Sequence, residues 1–134
     1  MLREGLSVLL TNTKMHQYID ALNSHLNCGG ILGYGIARNL RRLSDAAAEY
    51  ISIYNASFAK YGKKITVDGI DGLQLLPGTP EFESFFAEIQ PYSHIEHDVE
   101  IFQLPLKEAI GQLDAQGMMD LAFMLVDTDA MDNV

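Results

Sequence analysis

The stretch IARNLRRLSDAAAEYISIYNASFAKY, residues 36–61, decides the fold. Its apolar members Ile36, Leu40, Leu43, Ala47, Tyr50, Tyr54, Phe58 and Tyr61 recur at steps of three or four. That spacing puts them on one face of a helix, which must then be buried. Read as one helix, the stretch is about 39 Å long at 1.5 Å per residue. A compact chain of this length has an expected diameter of about 36 Å, so such a helix would cross the whole molecule. Gly62 stops it, because glycine accepts the left-handed geometry of a helix end.

Upstream, Thr11, Asn12 and Thr13 offer side-chain oxygens to cap a first helix whose buried face is Met15, Tyr18, Ile19, Leu22 and Leu26. Cys28, Gly29 and Gly30 are expected to end it, with residues 31–34 as a short extended connection into the long helix. Downstream, residues 64–67 and 73–76 are short apolar runs around a Gly/Asp cluster at 68–72, the pattern of a β-hairpin. Pro77-Gly78 breaks the second strand. Thr79-Pro80-Glu81 starts a helix with a cap, a proline in the first turn and an early acid. Its face is Phe82, Phe85, Phe86 and Ile89, with Pro91 just past its end. Residues 94–104 alternate as a third strand, Ile95, Val99 and Ile101 against Glu96, Asp98 and Glu100. Pro105 opens a short helix to Leu113, and Asp114 caps a last, apolar helix through Met118, Met119, Leu121, Phe123, Met124 and Leu125. The expected fold class is α+β: one long central helix, a small β-hairpin plus a third strand, and a C-terminal helix pair. Residues 1–126 are expected to form a single compact domain and 127–134 an acidic, frayed tail.

The composition is that of a globular protein: 48% hydrophobic and 20% charged over 134 residues. The single Cys28 permits no internal disulfide and suits a reducing compartment. No apolar run approaches the roughly 18 residues of a membrane span, and the apolar patch 6–10 is too short for a signal peptide. A cytoplasmic, membrane-independent protein is expected. The net charge of −9 is unevenly spread. Residues 1–64 hold eight Lys/Arg and four Asp/Glu, a balance of +4; residues 65–134 hold Lys107 alone against fourteen acids, a balance of −13. Such an acidic chain is a poor binder of free duplex nucleic acid.

No catalytic constellation emerges. Gly33, Gly35 and Arg38 imitate the start of a dinucleotide fingerprint, but arginine replaces the third glycine and no strand precedes it. Gly30 and Gly35 have phosphate-loop spacing without the Lys and Ser/Thr that must follow. Helix entry with close backbone packing explains them better. His94, Glu96, His97 and Asp98 form the most metal-like string, yet on a strand His94 and His97 point to opposite faces. Cys28, placed at a helix C-terminus, is disfavoured as a thiolate. No catalytic residue, cofactor or metal ligand is therefore assigned. Two groups remain as candidate partner-binding residues: the basic cluster Arg38, Arg41 and Arg42, with Asp45 in pairing distance, and the aromatic stripe Tyr50, Tyr54, Phe58 and Tyr61.

Three stretches carry a resemblance: residues 10–14 leading into 21–23, residues 36–43, and Asp114 followed by 118–125. Together they resemble a family of small proteins of tailed bacteriophages and prophages whose function is not established. The resemblance spans most of the chain, and its motifs are helical and apolar. The glycine-rich segment 28–35 departs from the more polar stretch expected there. It implies a phage or prophage origin, a place in the bacterial cytoplasm or on the virion, and no catalytic residues. The leading expectation is a non-enzymatic accessory protein acting by protein–protein contact, in virion assembly or on a host factor. It would also self-associate through residues 50–61. The alternatives are an acidic mimic of nucleic acid that occupies a host DNA- or RNA-binding protein, and a small metal-dependent enzyme built on residues 94–100.

Overall fold

The structure, a computed structural model, describes residues 3–127. It is a mixed fold of helices and two small sheets. In chain order the elements are β1 (Arg3–Thr11), α1 (Asn12–Asn23), α2 (Gly30–Ala46), α3 (Ala48–Tyr61), β2 (Lys63–Val67), β3 (Ile70–Gln74), α4 (Pro80–Ser93), β4 (Glu96–Pro105), α5 (Ala115–Asp120) and β5 (Leu125–Val126). Short 3₁₀ turns occupy Leu106–Glu108 and Ala122–Met124. The chain forms two compact units, one from Ala48–Ile95 and one from the segments on either side of it.

In the flanking-segment unit, β4 is the middle of a three-stranded sheet in the order β1-β4-β5. β1 runs antiparallel to it, with Val8 opposite Val99 and Leu10 opposite His97. β5 runs parallel, with Leu104 opposite Leu125. The expected alternation holds from Glu96 to Ile101, whereas Ile95, expected on the buried face, precedes β4 and is exposed. Val99 and Ile101 are buried, and Glu96, Asp98 and Glu100 are exposed. The core is built from Met15 and Leu22 of α1, Leu32, Ile36 and Leu43 of α2, Leu104, Leu121 and Met124, all fully buried. Each such side chain contributes about 1.5–3 kcal/mol on leaving water. Gly35 lets α2 approach this core: a Cβ there would stand 2.8 Å from Leu104 Cδ2 and 3.0 Å from Met124 Cε.

One buried polar residue joins α2 to the sheet. Asn39 is fully buried, and its amide spans the backbone of Phe102. The Asn39 Nδ2 donates to the Phe102 carbonyl at 2.9 Å, and the Phe102 N–H donates to Asn39 Oδ1 at 2.8 Å. A side chain thus takes the place of a strand neighbour on the edge of β4 that β1 leaves open, satisfying a donor and an acceptor that burial would otherwise penalise.

In the other unit, α3 packs on α4. Phe85 is buried with its ring edge-on to Tyr54, at 5.0 Å between centroids, and to Phe58, at 5.8 Å. The hairpin β2–β3 closes through Asp68 and Gly69, both at positive φ (52° and 78°). That is the two-residue turn whose twist matches paired strands.

Several boundaries differ from expectation. Residues 36–61 are not one helix: Ala47, at φ −98° and ψ 7°, divides them into α2 and α3. Apolar spacing reports which residues are buried and is blind to a single residue leaving helical dihedrals. α1 ends at Asn23, so Leu26 is exposed and Cys28 lies in the turn beyond the helix instead of at its end. Residues 31–34 are the first turn of α2, not an extended link. Residues 3–11, where the sequence suggested no element, form β1. Strand β3 begins at Ile70 because the turn needs two residues, not five. Pro91 sits within the last turn of α4, where its missing N–H forfeits one helical bond. Phe86 is exposed, not buried. β4 starts at Glu96, with His94 as the end cap of α4. The C-terminal helix pair shrinks to a 3₁₀ turn and the six-residue α5, because the chain turns at Leu121 to bring Leu125 beside β4. Of the expected tail, 127–134, residues 128–134 lie outside the described residues.

Candidate functional site

The outward face of α2 carries an open concavity with a coherent chemistry. The helix buries Leu32, Ile36, Asn39 and Leu43, and this fixes which residues face away. Tyr34, Arg38, Arg41 and Asp45 follow one another at steps of four, three and four, and so line up on the other side. With Ala37 and Arg42 they border an open groove of about 480 Å³.

Within it Arg38 is held in place. Its Nη1 donates to the Tyr34 hydroxyl at 2.6 Å, and its guanidinium lies 5.8 Å from the Tyr34 ring centroid and 5.6 Å from that of Phe102. The two rings meet edge-on at 5.5 Å. Cation–π contact with two faces and one hydrogen bond restrict a side chain that would otherwise lose much rotamer freedom on binding. The half-buried Arg42 places Nη1 4.0 Å from Oε2 of the exposed Glu100, at the long limit of an ion pair. Arg41 is exposed and makes no hydrogen bond or ion pair among the described residues. Asp45, exposed at the rim, forms no ion pair with its helical neighbours, although their spacing allows one. A planar guanidinium presents donors that match a carboxylate or phosphate two at a time. The groove can therefore seat a small anionic group against an aromatic wall, with Asp45 and Glu100 limiting how far negative charge can extend.

The three arginines expected as a cluster are thus together. The four aromatic candidates are elsewhere: Tyr50, Tyr54, Phe58 and Tyr61 lie on α3 and turn towards α4. Tyr50 is buried, its hydroxyl 3.5 Å from Ser93 Oγ. Tyr54 and Phe58 are half-buried against Phe85. Tyr61 is half-buried and donates to Glu88 Oε1 at 3.4 Å. The Glu88 carboxylate also accepts from Ser57 and from Lys60 Nζ. These bonds, that from Ser57 first, hold its carboxyl below the usual carboxylate range. The aromatic stripe is the packing face of a helix pair.

Among the described residues no group of three or more His, Cys, Asp or Glu is placed to hold a metal ion. The string at 94–98 is broken by the start of β4 at Glu96, which leaves His94 off the strand. The structure adds a pair that sequence reading missed: His25 Nε2 lies 3.0 Å from Asp120 Oδ2, with Gln116 Nε2 donating to Asp120 Oδ1 at 2.9 Å. The His25 contact first, then Gln116, lowers the Asp120 carboxyl from its ordinary value. The pair ties the turn after α1 to the end of α5. Its partners are far apart in the chain, and no periodicity announces them. The role of Tyr34 was likewise hidden, because it depends on Phe102 in a distant strand. No helix among the described residues is long and apolar enough to cross a membrane. Comparison with protein-family models, with characterised proteins and with solved structures returns no match.

Proposed function

We propose that this chain is a non-enzymatic docking protein, and that the α2 groove receives an acidic segment of a protein partner. The observation that carries the reading is the fixed Arg38: a cation held between Tyr34 and Phe102 beside the unengaged Arg41. Arginine and tyrosine are the residue types that anchor protein interfaces. Arginine recognises anions by geometry and is not the residue type that shuttles protons in general acid–base chemistry. The resemblance to small tailed-phage proteins gives the docking its setting, in virion assembly or on a host factor, with the bacterial cytoplasm or the virion as its location.

The nucleic-acid-mimic reading is supported by Glu96, Asp98 and Glu100, exposed in a row on β4. The row is short, and Glu100 leans to Arg42. Duplex DNA presents one charge per about 1.7 Å of axis, a far denser and longer array. The docking reading is therefore preferred. Affinity capture from an infected or induced host, with wild-type and Arg41→Glu baits side by side, tests it. The expected result is a partner retained by the wild type, released by moderate salt and lost with Arg41→Glu. A partner retained equally by both baits contradicts it. Arg41 is the residue to change because its exposure leaves the fold undisturbed.

A further inference from the structure

We infer that the free edge of β1 is a self-association surface, on which a second copy of this chain adds its own β1 antiparallel to form one continuous six-stranded sheet. β1 stands at the margin of the sheet, and among the described residues β4 is the strand that pairs with it. The grip of Asn39 on Phe102 shows which backbone groups are left over. Because the N–H and carbonyl of Phe102 point away from β1 to Asn39, alternation along β4 turns those of Val99 and His97 towards β1. Their partners Val8 and Leu10 therefore spend their backbone groups on β4. Ser7 and Leu9 present theirs at the open edge.

Edge strands are ordinarily blocked by charges, proline, short length or a covering element. β1 is nine residues long, and from Gly5 to Thr11 it has no charged residue and no proline. A bulge near its start confines the regular pairing to the stretch from Leu6 onward. The occupant follows from the symmetry of this edge. Antiparallel pairing about a two-fold axis at Val8 places Ser7 opposite Leu9 of the second copy, and Leu9 opposite its Ser7. Both are pairs in which the residues exchange two hydrogen bonds, so four bonds form at once. In the same register Val8 meets Val8 of the second copy at a non-hydrogen-bonded position, where side chains come closest. Val8 is half-buried in the single chain, and Leu9 is 65% exposed. Both lose water in the pair. Electrostatics permits the approach despite the net charge of −9. The acidic row of each β4 would lie about three strand spacings, roughly 14 Å, from that of the other, beyond the Debye length of about 8 Å at physiological salt. The surface lies on the opposite side of β4 from Asn39 and α2, so it is independent of the docking groove and leaves that groove open.

Sedimentation velocity over a range of concentrations tests the proposal. The 134-residue chain should shift from its 14.9 kDa monomer towards twice that mass. Leu9→Pro removes an N–H that points at the open edge and none that pairs with β4. It should abolish the dimer while leaving the circular dichroism spectrum and melting temperature close to those of the wild type. As a second arm that does not depend on tolerance of proline, Val8→Cys in a Cys28→Ser background should form an intermolecular disulfide on mild oxidation. A wild type that stays monomeric throughout overturns the proposal. So does a dimer unchanged by a folded Leu9→Pro variant, or one that Val8→Cys does not cross-link.

Discussion

Asn39 is the residue on which the flanking-segment unit turns. It sits in the middle of a helix, a position where asparagine is a mediocre helix former. Its compensation is the pair of hydrogen bonds to Phe102, which replace a missing strand. Asn39→Ala would leave a buried N–H and a buried carbonyl without partners, at about 1–3 kcal/mol each. Denaturant titration should therefore show a loss of about 2–6 kcal/mol, far beyond the difference in helix propensity. A loss below about 1 kcal/mol would mean that the contact is incidental. Asp120 provides a pH signature. Its carboxyl is lowered, mainly by His25, so the folded state binds this proton less readily than the unfolded chain. That contribution to stability is present above the unfolded value of about 4 and is lost as pH falls through the lower folded value. Asp120→Asn should consequently flatten the acid limb of a stability–pH curve between about pH 5 and pH 2. A limb as steep as that of the wild type would remove the pair from the account. Neither residue is conspicuous in the sequence. Asn39 is one polar residue in an arginine-rich helix, and His25 precedes its partner by most of the chain.

At the scale of elements, what could be read locally was read. Thr11, Thr79 and Asp114 cap α1, α4 and α5 through their own side chains, accepting from the N–H of Lys14, Phe82 and Gly117. The hairpin, the alternation in β4 and the arginine cluster are also short-range patterns. What depends on distant pairing was not legible. β1 is an apolar run too short to distinguish strand from helix, and it is defined by β4 some ninety residues later. The break at Ala47 falls on a strong helix former, where no local signal marks it. The aromatic stripe was expected to meet a second copy, whereas within the chain Tyr54 and Phe58 pack on Phe85 of α4. Phe85 holds that pair together. Phe85→Ala should cost about 3–5 kcal/mol, because the rings of Tyr54 and Phe58 cannot close the space. Phe86→Ala, at an exposed position one residue along, should cost less than about 1 kcal/mol. Calorimetry of the two variants checks the contrast, and equal losses would contradict the assigned face of α4.

At the scale of the whole molecule, the basic and acidic halves of the sequence meet inside one of the two units. Within the flanking-segment unit, the basic groove and the acidic row of β4 approach each other where Arg42 faces Glu100. The site was legible as three arginines. The seating of Arg38 against Tyr34 and the buried Phe102 was not, because it exists only once α2 lies along β4. The central claim is that this groove binds an acidic protein segment. Its most direct test is a nuclear magnetic resonance titration of the labelled protein with a short peptide rich in glutamate and aspartate. The account predicts shifts clustered on the backbone and side-chain N–H signals of Tyr34, Ala37, Arg38, Arg41 and Arg42, weakening with salt and lost in Arg41→Glu. Shifts that are absent, that cluster away from α2, or that persist unchanged in Arg41→Glu would contradict it.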